Sequence, residues 1–291
     1  MDREYLFSLL EVLIAIVIWS ASFVATKFAY EAFTPLVVCF IRFSLAALIL
    51  YVLHRRRGNQ PLAKEDRRAV ILTGLSGITI YYSFENIGLS MTSAANASVI
   101  TAIYPIMTIL FGAVVYHDRI PLRQLGGILV GVAGILVVTY TGGDTAGSST
   151  LGNLLLLFNG FMWGLYNYQV KKVSNHTGAL TLTYYQTLYG VLFLIPFLVF
   201  ELPLSIGPIT PRVIAAILFL TAGCSVGAYA LYNHGLRKVS AASAVSIMNL
   251  MPVFGLLFSH ILLGETITMR QMIGAAAVIA GVMLSEAVNK S

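Results

Sequence analysis

The chain has 291 residues, 58% of them apolar and only 10% charged, with a net charge of +6 and a mean hydropathy of +0.84. Soluble domains carry about 25% charged residues, so this composition excludes water-soluble enzymes, disordered chains, collagen-like chains and disulfide scaffolds. The basic residues fall mainly between apolar blocks, which points to membrane orientation and away from nucleic acid; the two cysteines, Cys39 and Cys224, lie in apolar runs and make no metal pattern.

A membrane-crossing helix needs about 20 mostly apolar residues. Ten such blocks follow one another near residues 8–28, 34–53, 69–88, 94–116, 122–140, 151–170, 179–200, 211–232, 241–262 and 270–287. Their runs do not alternate as barrel strands would. The predicted fold is therefore all-α, an integral membrane protein of ten transmembrane helices. The first block follows MDREY, which has no basic excess, and Glu11 interrupts its early run, so it reads as a retained span and not a cleaved leader.

Polar residues inside spans are costly and therefore informative. Span one puts Trp19, Ser22, Phe23 and Thr26 on one helical side, with Lys27 near its end as a headgroup anchor or a substrate contact. Span two carries Arg42, which can bind a substrate carboxylate, brace the first half by pairing with Glu85, or anchor at the interface. Span three carries Tyr81, Tyr82, Glu85 and Asn86; Glu85 reads either as a proton carrier or as one side of a rim salt bridge. Span four offers Asn96, Ser98, Thr101 and Tyr104 among small residues that let backbones approach. In span six, Asn159, Trp163 and Tyr166 follow an i, i+4, i+7 pattern with Asn167 beside them. Spans seven to nine add Tyr184, Tyr185, Gln186, Tyr189, Tyr229, Tyr232, Asn233, His234, Ser243, Ser246, Asn249 and His260. Trp163 aligns approximately with Trp19; the two either face a cavity and stack on a substrate, pack helices, or sit in an interfacial belt. The substrate-binding candidates are Trp19, Tyr82, Tyr104, Trp163, Tyr166, Asn167, Tyr232 and Asn249.

With the N-terminus inside, 14 of the 18 Lys and Arg residues fall in inner segments and only Arg212 and Arg270 fall outside. That bias places both termini in the cytoplasm and requires an even number of spans. An internal repeat strengthens this topology. Shifting the chain by 147 residues gives 17 identities over positions 86–134, among them Asn86/Asn233, Gly88/Gly235, Pro105/Pro252, Arg123/Arg270 and Gly134/Gly281, with Asp118 and Glu265 paired as acids. Two five-span repeats, 1–144 and 145–291, must then enter the membrane from opposite sides. Inverted repeats are a common basis of alternating access.

The segments WSASFVATKFA at 19–29, AANASVITAIYPIMTILFGAVVYHDRI at 94–120 and ALYNHGLRKVSAASAVSIMNLMPVFGLLFSHILLGETIT at 230–268 carry a resemblance. The sequence resembles the drug/metabolite transporter superfamily, specifically its ten-helix EamA type, over nearly the whole chain. The resemblance implies a basket of helices around a central cavity, with spans five and ten packed outside it. It implies an exporter of amino acids, related metabolites or toxic organic compounds in a bacterial inner membrane, acting as a monomer or weak homodimer. In that setting Pro105 and Pro252, in spans four and nine, are fixed kinks or hinges. Together with Arg42 and Glu85 they are the coupling or gating candidates.

No Walker motif, zinc spacing, GxSxG or HExxH appears, so neither a cofactor nor a metal is expected, and an enzyme is not the reading. The expected function is secondary transport of a small organic solute, with membrane lipid and protons as further partners. The alternatives are multidrug efflux and a non-transport sensor or partner subunit on the same scaffold.

Overall fold

Backbone groups in lipid must bond within the chain, which leaves a sequence this apolar to fold as helices. The computed structural model describes residues 3–58, 60–115, 117, 120, 122–139, 149–173, 177–235 and 247–287. Among these there is no strand, and the one isolated β-bridge joins Phe33 and Ile206. The proposed boundary at 144/145, together with Asp118, Ser243 and Ser246, lies outside the described residues.

Two long helices open the chain, α1 (Arg3–Ala29) and α2 (Pro35–Arg56). A third line runs through α3 (Arg67–Gly74), a π-helical segment Leu75–Ile80 and α4 (Tyr81–Ser90). Next come α5 (Ala94–Thr101) and α6 (Tyr104–Val115), bent by 47° at their junction, then α7 (Leu122–Thr139) and α8 (Thr150–Lys171). The second half continues with α9 (Ala179–Leu194), a 3-10 extension Ile195–Glu201, and α10 (Pro211–Leu218). A second π-helical segment, Phe219–Ala228, leads into α11 (Tyr229–Gly235); α12 (Met251–Leu263) and α13 (Met269–Ala287) close the fold.

The helix ends follow from local chemistry. The side chains of Ser93, Ser149 and Thr210 accept the backbone N–H of Asn96, Gly152 and Val213, which satisfies donors left free at a helix start. Pro105 and Pro252 each sit at the second position of a helix, α6 and α12, where a missing N–H costs little. Pro105 therefore follows a break in the chain and does not lie inside a continuous helix. Among the described residues, four runs are long and apolar enough to cross a membrane alone: Glu4–Ala29, Pro35–Arg56, Ala179–Glu201 and Pro211–Gly235. The bent α5–α6 pair makes a fifth, while the apolar part of α7 and helices α12 and α13 are shorter. The ten apolar blocks thus do not all become uninterrupted spanning helices. Prolines start new helices, and α8 carries Asn153, Asn159, Asn167 and Gln169 among its apolar residues.

The two π segments hold corresponding places. Residues 75–80 shifted by 147 fall within Phe219–Ala228. Helix α1 packs on the α10–α11 line and on α12, and α8 packs on the α3–α4 line and on α5 and α6, so these two tryptophan-bearing helices have matching surroundings. Helix α2 packs on α9. Helices α7 and α13 pack chiefly on each other, through glycines. A Cβ on Gly134 would lie 2.8 Å from the Val278 nitrogen, and one on Gly281 would lie 2.7 Å from the Gly127 carbonyl oxygen. Both obstacles are backbone, which cannot swing aside, so this close approach depends on small residues. Gly281→Val is expected to cost about 1–3 kcal/mol. A thermal melt of the purified variant checks this, and an unchanged melting temperature would show that the α7–α13 contact does not contribute to stability.

At one end of the bundle, two glutamates from the second half cap helices of the first. Glu201 accepts the backbone N–H groups of Leu36 (2.9 Å) and Val37 (3.1 Å) and the Thr34 hydroxyl. Glu265 accepts the N–H groups of Ala94 (3.0 Å) and Ala95 (2.9 Å). A carboxylate at a helix N-terminus meets both free donors and the positive end of the helix dipole. Beside them Gln271 donates to Asn96 at 2.7 Å, and Gly207 bonds back to Ala32 at 2.8 Å.

A candidate substrate cavity walled by aromatic rings

Helices α1, α4, α6, α8 and α11 bring their aromatic side chains to one buried place. Trp19 and Trp163 meet edge to face, with centroids 6.2 Å apart and planes at 86°. Trp19 also contacts Tyr229 and Tyr232, each at 5.1 Å, and Trp163 contacts Tyr81 at 6.0 Å and stacks on Tyr166 at 5.3 Å. These separations lie in the range where aromatic quadrupoles attract. The Trp19 indole N–H donates to the carbonyl of Cys224, inside the second π segment, at 3.2 Å. Wide turns of this kind occur frequently at functional sites.

The cavity between these rings is lined by Trp19, Ser22, Phe23, Tyr81, Tyr82, Glu85, Thr101, Tyr104, Trp163, Tyr229, Met248 and Met251. Six of its twelve lining residues are paired. Tyr82 and Tyr229, Thr101 and Met248, and Tyr104 and Met251 are each separated by 147 residues, the period of the repeat. The hydroxyls of Tyr82 and Tyr229 lie 3.2 Å apart, so equivalent residues of the two halves meet directly. The cavity volume is about 30 Å³. That is room for one or two waters and far below the roughly 150 Å³ that admits a benzene ring. The rings therefore have to separate before an organic solute can enter.

Of the eight residues expected to bind substrate, Trp19, Tyr82, Tyr104 and Trp163 line the cavity. Tyr166 and Tyr232 stand against the two tryptophans as a second layer. Tyr232 reaches the Met248 sulfur at 3.9 Å, and the Tyr166 hydroxyl donates to Gln186 at 3.4 Å. Asn167 and Asn249 are not among the lining residues. The Asn167 amide donates to the Trp163 carbonyl at 2.8 Å, and Asn249 is buried with its side-chain oxygen lacking a partner among the described residues.

Arg42 and Glu85 do not form the brace the sequence allowed. No ion pair joins them, and Arg42 donates through Nε to the Ser225 hydroxyl at 2.6 Å. Its guanidinium lies 4.7 Å from the Tyr82 ring and 5.0 Å from the Phe43 ring, a cation–π arrangement that compensates partly for burial. Glu85 is not a rim residue either: it is 7% exposed, faces the cavity, and accepts the Tyr81 hydroxyl at 3.0 Å. Tyr81, Tyr229, Met248 and Met251 were not among the expected site residues. The 147-residue period held the signal for the last three, since it carries Tyr82 to Tyr229, Thr101 to Met248 and Tyr104 to Met251.

A helical membrane protein with a buried cavity walled in pairs by its two halves has the construction of a transporter. The chain belongs to the EamA-like transporter family, whose model matches residues 6–140 and 150–286. It is 31% identical over 281 residues to an uncharacterized transporter of Archaeoglobus fulgidus, covering 94% of this chain and 95% of that one. It is 26% identical to a probable amino-acid metabolite efflux pump of Salmonella typhimurium, covering 94% and 92%. A solved crystal structure superposes with a TM-score of 0.67 over 97% of both chains at 19% identity, which shows a shared fold.

Proposed function

We propose that this protein is an alternating-access secondary transporter that exports amino acids or related small metabolites across the bacterial inner membrane. In this reading ten spans form two inverted repeats, 1–144 and 145–291, with both termini in the cytoplasm. The observation that supports it best is the pairing of cavity residues at the repeat period, above all Tyr82 against Tyr229. A site on the axis between two halves is exposed to one side or the other when the halves exchange conformations. The name of the Salmonella relative supports amino-acid metabolites as the solute class. The test is saturable flux of labelled amino acids in proteoliposomes; flux indistinguishable from protein-free vesicles across the amino acids and their amine derivatives would refute the reading.

Protons are the proposed coupling ion and Glu85 their carrier. Among the described residues, the titratable and charged groups within electrostatic reach of Glu85 are Tyr81 and Tyr82 on its own helix, Arg42 and Cys39 on α2, Tyr30 beyond α1, Tyr104 on α6, and Cys224 in the second π segment, with Tyr229 lining the same cavity. Arg42 is the one permanent cation in this set. Glu85→Gln is expected to abolish uptake driven by an imposed pH gradient. Unchanged pH dependence in that variant would remove Glu85 from the coupling step.

A further inference from the structure

The cavity has a wall of rings and a single carboxylate. Glu85 accepts one hydrogen bond, from Tyr81 to Oε1, and its Oε2 has no partner among the described residues. Among the described residues no cation stands within ion-pair distance of it; Arg42 lies within electrostatic reach but donates to Ser225 and sits over the faces of Tyr82 and Phe43, with its Nη2 lacking a partner among the described residues. Among the described residues Glu85 is also the only charged side chain lining the cavity. A carboxylate buried among apolar groups is costly unless a cation or a proton accompanies it. Aromatic faces attract cations and cannot solvate anions. Both features favour the same visitor, a positively charged organic group.

We infer that the cavity selects solutes carrying an ammonium group, which docks on Glu85 while the organic part rests against Trp19 and Trp163. This rests on the reading of the cavity as the transport site and names the charge its solutes must bear. The described lining residues include no cation for a solute carboxylate, so an amine without a carboxyl group binds at least as well as the corresponding amino acid.

The protein reports on this site itself, because Trp19 and Trp163 are its only two tryptophans and both line the cavity. Intrinsic fluorescence of the purified full chain is titrated near neutral pH with phenethylamine, 2-phenylethanol and 3-phenylpropionate, which share a ring and differ in charge. Phenethylamine is expected to bind at least tenfold more tightly than 2-phenylethanol, and 3-phenylpropionate more weakly than either. In Glu85→Gln the preference for the amine over the alcohol is expected to fall toward one, and Glu85→Asp is expected to restore part of it. Equal affinity of the wild-type protein for amine and alcohol, preference for the acid, no response to any of the three, or a preference that survives Glu85→Gln would each overturn the assignment. Saturable flux of a neutral or anionic solute alongside such a result would leave the transport reading standing and remove only the ammonium requirement.

Discussion

Trp163→Ala is expected to remove saturable transport, whereas Trp163→Phe keeps a substantial part of it. Trp163 touches Trp19, Tyr81, Tyr166 and Tyr232, and like Trp19 it joins the lining to the layer behind it. Aromatic contacts contribute roughly 0.5–1.5 kcal/mol each beyond the area they bury. Loss of the one ring contact to a bound solute weakens binding by roughly two- to tenfold, at 1.4 kcal/mol per decade, and the loosened wall adds to this. The substitution also leaves a hole among rings that now pack to a 30 Å³ remainder, and Trp→Ala in a core costs about 3–5 kcal/mol. Flux and thermal stability therefore have to be measured on the same preparation. A Trp163→Ala protein that transports like the wild type would show that the solute does not use this cavity. A phenylalanine variant that is stable but inactive would show that the indole itself is required.

The second large effect is expected at the capped end of the bundle. Glu201 and Glu265 each join the end of a second-half helix to the start of a first-half helix, α2 and α5, by two backbone hydrogen bonds. Lys27 lies within electrostatic reach of Glu265, and Arg212 pairs with Glu31 at 3.5 Å nearby on the surface. In the proposed topology this is the outer face, and the caps are expected to hold the cavity shut toward the outside. Replacing either glutamate with alanine is expected to cost the closed state about 1–2 kcal/mol. The double variant then raises the population of a state open at this face by roughly ten- to a thousandfold. External iodide should quench Trp19 and Trp163 more strongly in sealed vesicles of the double variant than of the wild type. Unchanged quenching in a folded double variant would show that the caps fix helix ends without governing access.

How much of this was legible in the sequence varies residue by residue. The helical class, the apolar blocks and the 147-residue period are written in composition and spacing. So is the pairing of Trp19 with Trp163, because both lie deep in long apolar runs and repeat at nearly the same interval. Tyr82, Tyr104, Trp19 and Trp163 were expected to bind substrate, and all four line the cavity proposed here as the transport site. Glu85 was read at the rim because a straight α-helix counts it toward the end of its span, yet it faces the cavity beyond a π segment. A wider turn changes how the helix before it registers with the helix after it, and no residue type marks where that happens. Arg42 shows the same limit: its distance from Pro35 told that it was inside the membrane, but not that Ser225, 183 residues away, would hold it.

What the sequence by itself determined is whatever depends on local chemistry: helices where water is excluded, helix starts at Ser93, Thr210 and the two prolines, and a duplicated period that makes equivalent residues available in both halves. Only the tertiary structure decided which of those equivalents meet. Tyr82 touches Tyr229, and Glu265 caps α5, because helices of the two halves pack against one another. The side each residue presents to that axis depends on helix bends and wide turns whose positions are set by packing between distant segments.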